Sequence, residues 1–221
     1  MDSTAAQEVF ESGLTELQQY HPGTLILTKK IGDFCHKLYP SEQQFISKAI
    51  GSRRREFSTG RWLAHTGLSR FGVSHEAILP GDQRQPLWPD GIVGSISHTK
   101  DHAVVALARE RDYRAIGIDT EKKRRVEPAL AFRILTQREI SQTTATDPTL
   151  VFSAKEALHK LVFPLVGHYL EFTDVEIEFD HSTGAFFPRF RKNSSYAGDL
   201  GELSGNYVSF RDHWVACVSL R

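Results

Sequence analysis

The chain has 221 residues, of which 40% are hydrophobic, 10% aromatic and 24% charged, and this ordinary globular composition excludes wholesale disorder and fibrous repeats. Its 27 basic and 27 acidic side chains balance, so no net charge attracts it to nucleic acid or to an anionic membrane. There is no apolar run of membrane-spanning length, and Cys35 and Cys217 are the two cysteines. We therefore expect a soluble cytoplasmic protein with no disulfide framework, no membrane span and no nucleic-acid partner.

Helix and loop are predicted to alternate in the first half of the chain. The segment 41–70 is predicted as one helix, because Ser41 and Gln44 form a capping box and small and apolar residues recur on one face. The segment 79–91 contains three prolines and two glycines, so it is predicted as a long, stiff and functional loop. Residues 94–99 are small and polar, and they are predicted as a turn.

Strand-like patterns become frequent further along. The apolar runs 102–108 and 113–120 are separated by four charged residues, and they are predicted to pair as a hairpin. This order divides the chain into an N-terminal half, 1–112, and a C-terminal half, 113–221, each with a helical segment followed by paired strands. A cleft between two such halves is a plausible binding site.

The C-terminal half begins with helices and ends with strands. A helix is predicted near 128–134, and Thr136 with Glu139 forms a capping box. A longer helix is predicted to start after Asp147 and to end before Gly167. Strands are predicted from apolar alternation and paired runs at 175–179, 207–210 and 214–220.

Two acidic residues on one strand are the first candidate site. The two-residue period of a strand places Gly117, Asp119 and Glu121 on the same face. Neighbouring carboxylates repel each other, and a hard divalent cation or a raised pKa relieves that repulsion. The alternative interpretation is a strand end with two solvated acids. The missing side chain of Gly117 is interpreted as room for a ligand.

The second candidate lies on the predicted helix after Asp147. Glu156 and Lys160 are four residues apart and share a helix face, and Lys155 adjoins them. An ordinary surface ion pair explains this pattern. A glutamate with two lysines on an otherwise apolar helix also suits a metal-bound phosphate.

Two further patterns suit anion binding. Ser97 and His98 belong to the predicted polar turn, which can present hydroxyl, imidazole and backbone donors to an anion, although a serine-rich turn with an incidental histidine is the simpler interpretation. Arg53 and Arg61 belong to a basic helix. Such a helix face is by default solvated, whereas the guanidinium fork also grips phosphate.

Taken together and in this order, four segments resemble the 4′-phosphopantetheinyl transferases, especially the branch that includes enterobactin synthase component D. Each segment alone is weak evidence, but the ordered set is specific and extends over about half of the chain. The segments are RRREFSTGR at 53–61, RQPLWPDGIVGSISH at 84–98, GIDTE at 117–121 and FSAKEALHK at 152–160.

The resemblance implies a pseudo-twofold α/β (α+β) fold of two similar halves, each with helices packed on a small, mostly antiparallel sheet, and with coenzyme A in the cleft between them. It implies transfer of the phosphopantetheine arm of coenzyme A to a serine of an apo carrier protein, with Mg²⁺ as cofactor and adenosine 3′,5′-bisphosphate as the second product. A peptidyl or aryl carrier of siderophore or nonribosomal peptide synthesis and a monomeric enzyme are expected. A catalytically silent module that binds coenzyme A or a carrier protein is the alternative.

The resemblance also implies a role for each candidate residue. Asp119, Glu121 and Glu156 would bind Mg²⁺, and Glu156, or a water that it orients, would accept the serine proton. Lys155 and Lys160, together with Mg²⁺, would supply positive charge during the reaction, and the loop at 86–89 would form a wall near the adenine. The residues expected to bind the phosphates of coenzyme A are Arg53, Arg61, Ser97, His98, Lys155 and Lys160.

Overall fold

Two antiparallel sheets and the helices packed on them make up the fold of the computed structural model, which describes residues 12–73, 76–141, 145–167, 169–191 and 202–221. The strand order is β1-β3-β2 in one sheet and β4-β8-β7-β6-β5 in the other. In chain order the elements are α1 (Ser12–Tyr20), β1 (Leu25–Lys30), a 3-10 turn (Cys35–Lys37), α2 (Pro40–Phe45), α3 (Gly51–Arg70), β2 (Ile92–His98), β3 (His102–Arg109), β4 (Ala115–Lys122), α4 (Pro128–Ile134), α5 (Gln137–Ser141), α6 (Pro148–Val166), a second 3-10 turn (Phe172–Asp174), β5 (Val175–Asp180), β6 (Ala185–Phe190), β7 (Leu203–Phe210) and β8 (His213–Leu220).

The two sheets repeat one arrangement. In the first sheet, β1 is followed along the chain by the long helix α3, and the hairpin β2–β3 then returns so that β3 pairs with β1. In the second sheet, β4 is followed by the long helix α6, and the hairpin β7–β8 returns so that β8 pairs with β4. The hairpin β5–β6 is an addition to this second unit. The predicted α+β fold of two similar halves is therefore confirmed, while the exact boundary between 112 and 113 stays a prediction.

The predicted hairpin between 102–108 and 113–120 is wrong. Both edges of β3 are occupied, by β1 on one side and β2 on the other, and β4 instead pairs with β8 of the other sheet. The predicted turn at 94–99 is also wrong over most of its length, because Ile92–His98 is strand β2. This polar strand pairs along its length with the apolar strand β3.

The predicted helix at 41–70 is two helices, α2 and α3. The capping box at the start of α2 is formed by Glu42, whose carboxylate accepts a hydrogen bond of 3.0 Å from the backbone N–H of Tyr39, rather than by the predicted pair of Ser41 and Gln44. Proline at the first helical position, Pro40, fixes this start. Helix α1 and strand β1 were not among the predicted elements.

The C-terminal helices and strands agree with the sequence. Thr136 and Glu139 form the predicted capping box, with hydrogen bonds of 2.8 and 3.3 Å. Asp147 caps α6 by accepting a bond of 2.9 Å from the N–H of Thr149, and Gly167 ends the helix with φ of 70°. Strands β5, β7 and β8 cover the predicted strand segments.

Three apolar clusters hold these layers together. One packs α6 on the five-stranded sheet, and another packs α3 on the three-stranded sheet. The third contains residues of β1 and β3 from the first sheet and of β4, β7 and β8 from the second, so it joins the two halves. As a result, β2 and β4 lie next to each other in the middle of the molecule.

Two further expectations concern disulfide bonds and membrane-spanning helices. Cys35 and Cys217 are both free thiols, and Cys217 is buried. Among the residues described, no helix combines the length and apolar character needed to cross a bilayer.

Candidate active site

The close packing of α6 on β4 positions the central part of the site. A Cβ atom at Gly117 would lie 1.9 Å from the carbonyl oxygen of Ala157 and 2.9 Å from the backbone nitrogen of Leu161. Gly117 therefore makes room for the backbone of α6, and the interpretation that it makes room for a ligand is wrong. Because helix and strand approach so closely, side chains of α6 reach the polar residues of β4.

A buried aspartate joins the two halves. The Nζ atom of Lys160 on α6 donates a hydrogen bond of 2.7 Å to Oδ1 of Asp119, and the hydroxyl of Ser97 on β2 donates one of 2.8 Å to the same oxygen. Asp119 is only 3% exposed. Its other carboxylate oxygen, Oδ2, is buried and has no hydrogen-bond partner among the described residues, which is costly unless a cation or donor arrives.

The two other predicted metal ligands lie in the same electrostatic environment. Burial and the neighbouring Asp119 carboxylate raise the pKa of Glu121 to about 7, against the opposing effect of Arg125, which forms an ion pair with Glu121. Burial also raises the pKa of Glu156, which Lys160 opposes and Asp119 reinforces. Carboxyl groups destabilised by burial and by each other are the situation that a divalent cation relieves.

The chemistry of these carboxyl groups fits a hard cation. The donor set is all carboxylate oxygen, and one of its buried oxygens has no partner in the described segments. Within the described residues, however, no three histidine, cysteine or acidic side chains come close enough together to form a metal-binding group. Lys160 and Arg125 are the partners of Asp119 and Glu121 in this structure.

Arg53 and His98 meet at the adjacent end of β2. The Nη1 atom of Arg53 donates a hydrogen bond of 2.7 Å to Nε2 of His98, and Glu56 lies 3.8 Å from Arg53 and 3.7 Å from Nδ1 of His98. Burial lowers the pKa of His98, which agrees with a neutral ring that accepts from Arg53. The structure thus brings two of the predicted phosphate-binding residues together.

Arg61 is on the same helix as Arg53 but is buried. Its side chain leaves the residue 6% exposed, with the guanidinium 4.8 Å from the centre of the Phe57 ring. Burial lowers the pKa of Arg61 to about 10, while the nearby Glu42 opposes that effect. The Nε atom of Arg61 is buried and has no hydrogen-bond partner among the described residues.

A cavity of about 560 Å³ lies beside the junction of Asp119, Lys160 and Ser97, and residues of both halves line it. Pro86 and Trp88 of the proline-rich loop form part of its wall, and the indole N–H of Trp88 fixes the loop by donating a bond of 2.8 Å to the carbonyl of Gly94. Lys160 belongs to both the cavity and the junction at Asp119. The charged lining residues among those described are Arg84, Arg114 and Lys160, so the charged part of the lining favours an anion.

Lys155 is the predicted site residue that the structure does not bring to the others. It is 1% exposed, and its Nζ donates to Glu139 Oε2 at 2.7 Å and to the carbonyls of Ile134 and Phe172 at 2.9 and 2.7 Å. An ammonium group has three donors, and all three are used inside the C-terminal half. The expectation that Lys155 contacts a coenzyme A phosphate therefore does not agree with its position.

Three residues of the site were missed by sequence reasoning. Arg125 lies four residues after Glu121, with which it forms an ion pair. Glu56 lies three residues after Arg53, and this helical spacing was available evidence for their pairing. Glu139 was recognised as a capping residue only, because no local pattern shows that it also binds Lys155.

Comparison with known proteins identifies the family. The model of the 4′-phosphopantetheinyl transferase N-terminal domain matches residues 41–108, and that of the 4′-phosphopantetheinyl transferase superfamily matches residues 115–218. The chain is 36% identical over 187 residues to 4′-phosphopantetheinyl transferase Svp of Streptomyces mobaraensis, which covers 81% of this chain and 74% of the relative. It is 32% identical over 187 residues to 4′-phosphopantetheinyl transferase Npt of Nocardia iowensis, covering 81% of this chain and 84% of the relative.

A more distant relative belongs to the branch named from the sequence. Enterobactin synthase component D of Salmonella typhi is 38% identical over 116 residues, which is 49% of this chain and 47% of the relative. The chain belongs to the 4′-phosphopantetheinyl transferase superfamily, and the resemblance expected from its four motifs is confirmed. It is a transferase of the family that acts with coenzyme A and a carrier protein, and the silent binding module is not favoured.

The raised pKa of Glu121 leads to a testable pH dependence. Between about pH 4.5 and 7 the unfolded chain releases the Glu121 proton while the folded chain retains it, so the free energy of unfolding should fall as pH rises through this window. The fall should be about 3 kcal/mol at most, and Glu121→Gln should lack it. Urea unfolding with a chelator present, measured at several pH values, gives the difference between the two proteins. Parallel curves across the window would contradict the assignment.

Proposed function

We propose that this protein transfers the 4′-phosphopantetheine arm of coenzyme A to a serine of an apo carrier protein, releases adenosine 3′,5′-bisphosphate, and depends on Mg²⁺. The observation that carries the proposal is the junction at Asp119, where Lys160 of the C-terminal half and Ser97 of the N-terminal half meet beside a basic cavity. A diphosphate bound there would contact both halves. The family assignment supports the same reaction.

The coenzyme A side of the proposal uses donors from both halves. Arg53 and His98 are in contact, the buried Nε of Arg61 has no partner within the described part of the chain, and Lys160 lines the cavity. The hydroxyl of Ser97 has a single proton, which is engaged with Asp119. For Ser97 to bind a phosphate through its hydroxyl, that proton must turn away from Asp119. Lys155 is excluded from this set because its three donors have protein acceptors.

Asp119, Glu121 and Glu156 are the residues that would hold Mg²⁺ in the proposal. The Oδ2 atom of Asp119, which has no partner among the residues that the structure describes, and the raised pKa of Glu121 and of Glu156 support this choice. When bound, Mg²⁺ would offset the negative charge of the diphosphate. Lys160 contributes positive charge at the same place from the protein side.

The chemical step needs a base and charge stabilisation. The carrier serine oxygen attacks the phosphorus next to pantetheine, a new O–P bond forms, and the bond to the bridging oxygen breaks as adenosine 3′,5′-bisphosphate leaves. Glu156, or a water that it orients, receives the serine proton, and a pKa raised by burial suits it to that role. Lys160 stabilises the charge that builds on the phosphate oxygens.

The partner and the setting complete the proposal. A peptidyl or aryl carrier of siderophore or nonribosomal peptide synthesis is proposed because a relative is named enterobactin synthase component D. A monomer is proposed because one chain supplies the residues on both sides of the cavity. Two free cysteines support a reducing compartment such as the cytoplasm.

Intact mass of a purified apo carrier tests the proposal. Incubation of an apo aryl or peptidyl carrier with this protein, coenzyme A and Mg²⁺ should add the mass of one phosphopantetheine, and a chelator should prevent that gain. The second product, adenosine 3′,5′-bisphosphate, should appear in equal amount. Parallel reactions with acyl carriers show which class of carrier protein is modified fastest.

The outcomes separate the parts of the proposal. Transfer to acyl carriers alone would overturn the carrier class while leaving the transferase in place. Full transfer after chelation and removal of metal would overturn the Mg²⁺ dependence. The absence of transfer to every carrier class, with coenzyme A still bound, would overturn the proposed reaction.

A further inference from the structure

The buried ion pair of Lys155 and Glu139 lies beside the proposed catalytic glutamate. Side-chain exposures are 1% for Lys155 and 3% for Glu139, and the ammonium nitrogen lies 2.7 Å from the carboxylate. The other two donors of Lys155 bind the backbone carbonyls of Ile134, the last residue of α4, and of Phe172 in the second 3-10 turn. The lysine therefore ties α6 to the end of α4 and to the segment that precedes β5.

Both carboxylate oxygens of Glu139 also accept hydrogen bonds within the protein. Its Oε2 accepts a bond of 2.8 Å from the N–H of Thr136 in addition to the bond from Lys155, and its Oε1 accepts one of 2.8 Å from the N–H of Ile177 on β5. One carboxylate thus connects the start of α5, the edge strand of the sheet and the middle of α6. Removing either charge leaves the other buried without its partner.

The N-terminal half contains the same construction. Glu42 is fully buried at the third position of the short helix α2 and accepts bonds from the N–H groups of Tyr39 and Ile78 at 3.0 and 2.9 Å. His65, on the long helix α3, lies 2.9 and 3.1 Å from the two carboxylate oxygens of Glu42. In each half, a glutamate that caps a short helix therefore binds one backbone N–H from a distant part of the chain and one basic side chain of the long helix. In its contact with the capping glutamate, Lys155 corresponds to His65.

Lys155 and Glu156 project from α6 in different directions. Successive helical residues project about 100° apart, so an anchored Lys155 on one side directs Glu156 toward another. Glu156 interacts electrostatically with Lys160, Asp119 and Arg125, which are the groups of the central junction. The distance between α6 and β4 is fixed separately by the contact of Gly117 with Ala157.

We propose that Lys155 and Glu139 are a positioning pair for Glu156, and that Lys155 acts inside the protein rather than as a ligand of a coenzyme A phosphate. The inference rests on the proposed function in one respect, that Glu156 acts at the reacting centre. It adds Glu139 to the residues on which turnover depends. The repetition of the same construction in the N-terminal half supports a structural origin of the pair.

Steady-state kinetics and coenzyme A binding of Lys155→Met, Glu139→Gln and the double variant test the proposal. Each single variant should lower kcat at least tenfold and change the Kd for coenzyme A less than twofold, and the double variant should be no slower than the slower single variant. Val175→Ala is the control for a general loss of packing, because Val175 is fully buried in the apolar cluster that packs α6 on the five-stranded sheet. It should lower the melting temperature without lowering kcat.

A tenfold weaker affinity of Lys155→Met for coenzyme A, with Glu139→Gln unchanged, would overturn the proposal. A structure of the wild-type protein with coenzyme A decides the question even if the variants fail to fold. Lys155 Nζ should remain bonded to Glu139 in that complex, and an Nζ within hydrogen-bond distance of a phosphate would overturn the inference. Affinity and structure need no carrier, so they separate failure of this inference from failure of the proposed reaction.

Discussion

Replacement of Glu156 by glutamine should lower kcat for carrier modification by a factor of about 10² to 10⁴, the range typical of a lost general base, while leaving the protein folded. The variant keeps the shape of the side chain and removes its ability to accept a proton or to hold a cation by charge. Because Glu156 is half-buried in a packed helix, its neutral replacement also removes a desolvation cost, and stability should not fall. Thermal unfolding and the carrier mass assay measure the two effects.

The pH profile adds a second readout. Burial raises the pKa of Glu156, and a carboxyl that acts as a base is inactive while protonated, so wild-type kcat should decrease on the acidic side of that raised pKa. Glu110→Gln is the matched control, because Glu110 is exposed at the turn after β3 and has the same chemical change. Turnover near that of the control would rule out both roles assigned to Glu156.

Gly117→Ala should destabilise the protein by about 3 kcal/mol or more, equivalent to a fall in melting temperature of roughly 10 °C for a chain of this size. The new methyl group would lie 1.9 Å from the carbonyl oxygen of Ala157. That neighbour is helix backbone, so it cannot rotate away, and α6 must move as a whole. Any folded fraction should also lose activity, because Lys160 and Glu156 would move away from Asp119.

Gly51→Ala is the control for the same chemical change. Gly51 is the first residue of α3, and a Cβ there would lie 3.6 Å from a flexible arginine side chain, which is ordinary contact. Alanine favours helix, so this variant should change stability by no more than about 1 kcal/mol. If Gly117→Ala behaved like Gly51→Ala, the close approach of α6 and β4 would not exist in solution.

Local patterns were sufficient for much of the C-terminal half. The cap at Asp147, the stop at Gly167 and the alternation in β5 depend on neighbouring residues, and these elements agree with the structure. The same is true of the face shared by Asp119 and Glu121. Such features are determined by backbone geometry within a few residues.

Long-range pairing was beyond the reach of those patterns. Strand β3 is apolar on both faces, so its sequence does not indicate whether β2 or β4 lies beside it. The polar strand β2 resembles a turn because its apolar cover comes from elsewhere. Likewise, Lys155 and Glu156 are adjacent in sequence, and only the partner Glu139 shows that they face different surroundings.

The carboxylates of the junction already have basic partners in the free chain, Lys160 for Asp119 and Arg125 for Glu121. Loading the proposed site would consequently be an exchange of partners rather than the capture of ions by bare charges. A bound cation would replace Lys160 or Arg125 as the partner of a carboxylate, and the released basic side chain would be free to bind phosphate. Such an exchange spares the protein the cost of exposing unpaired buried charge before its substrates arrive.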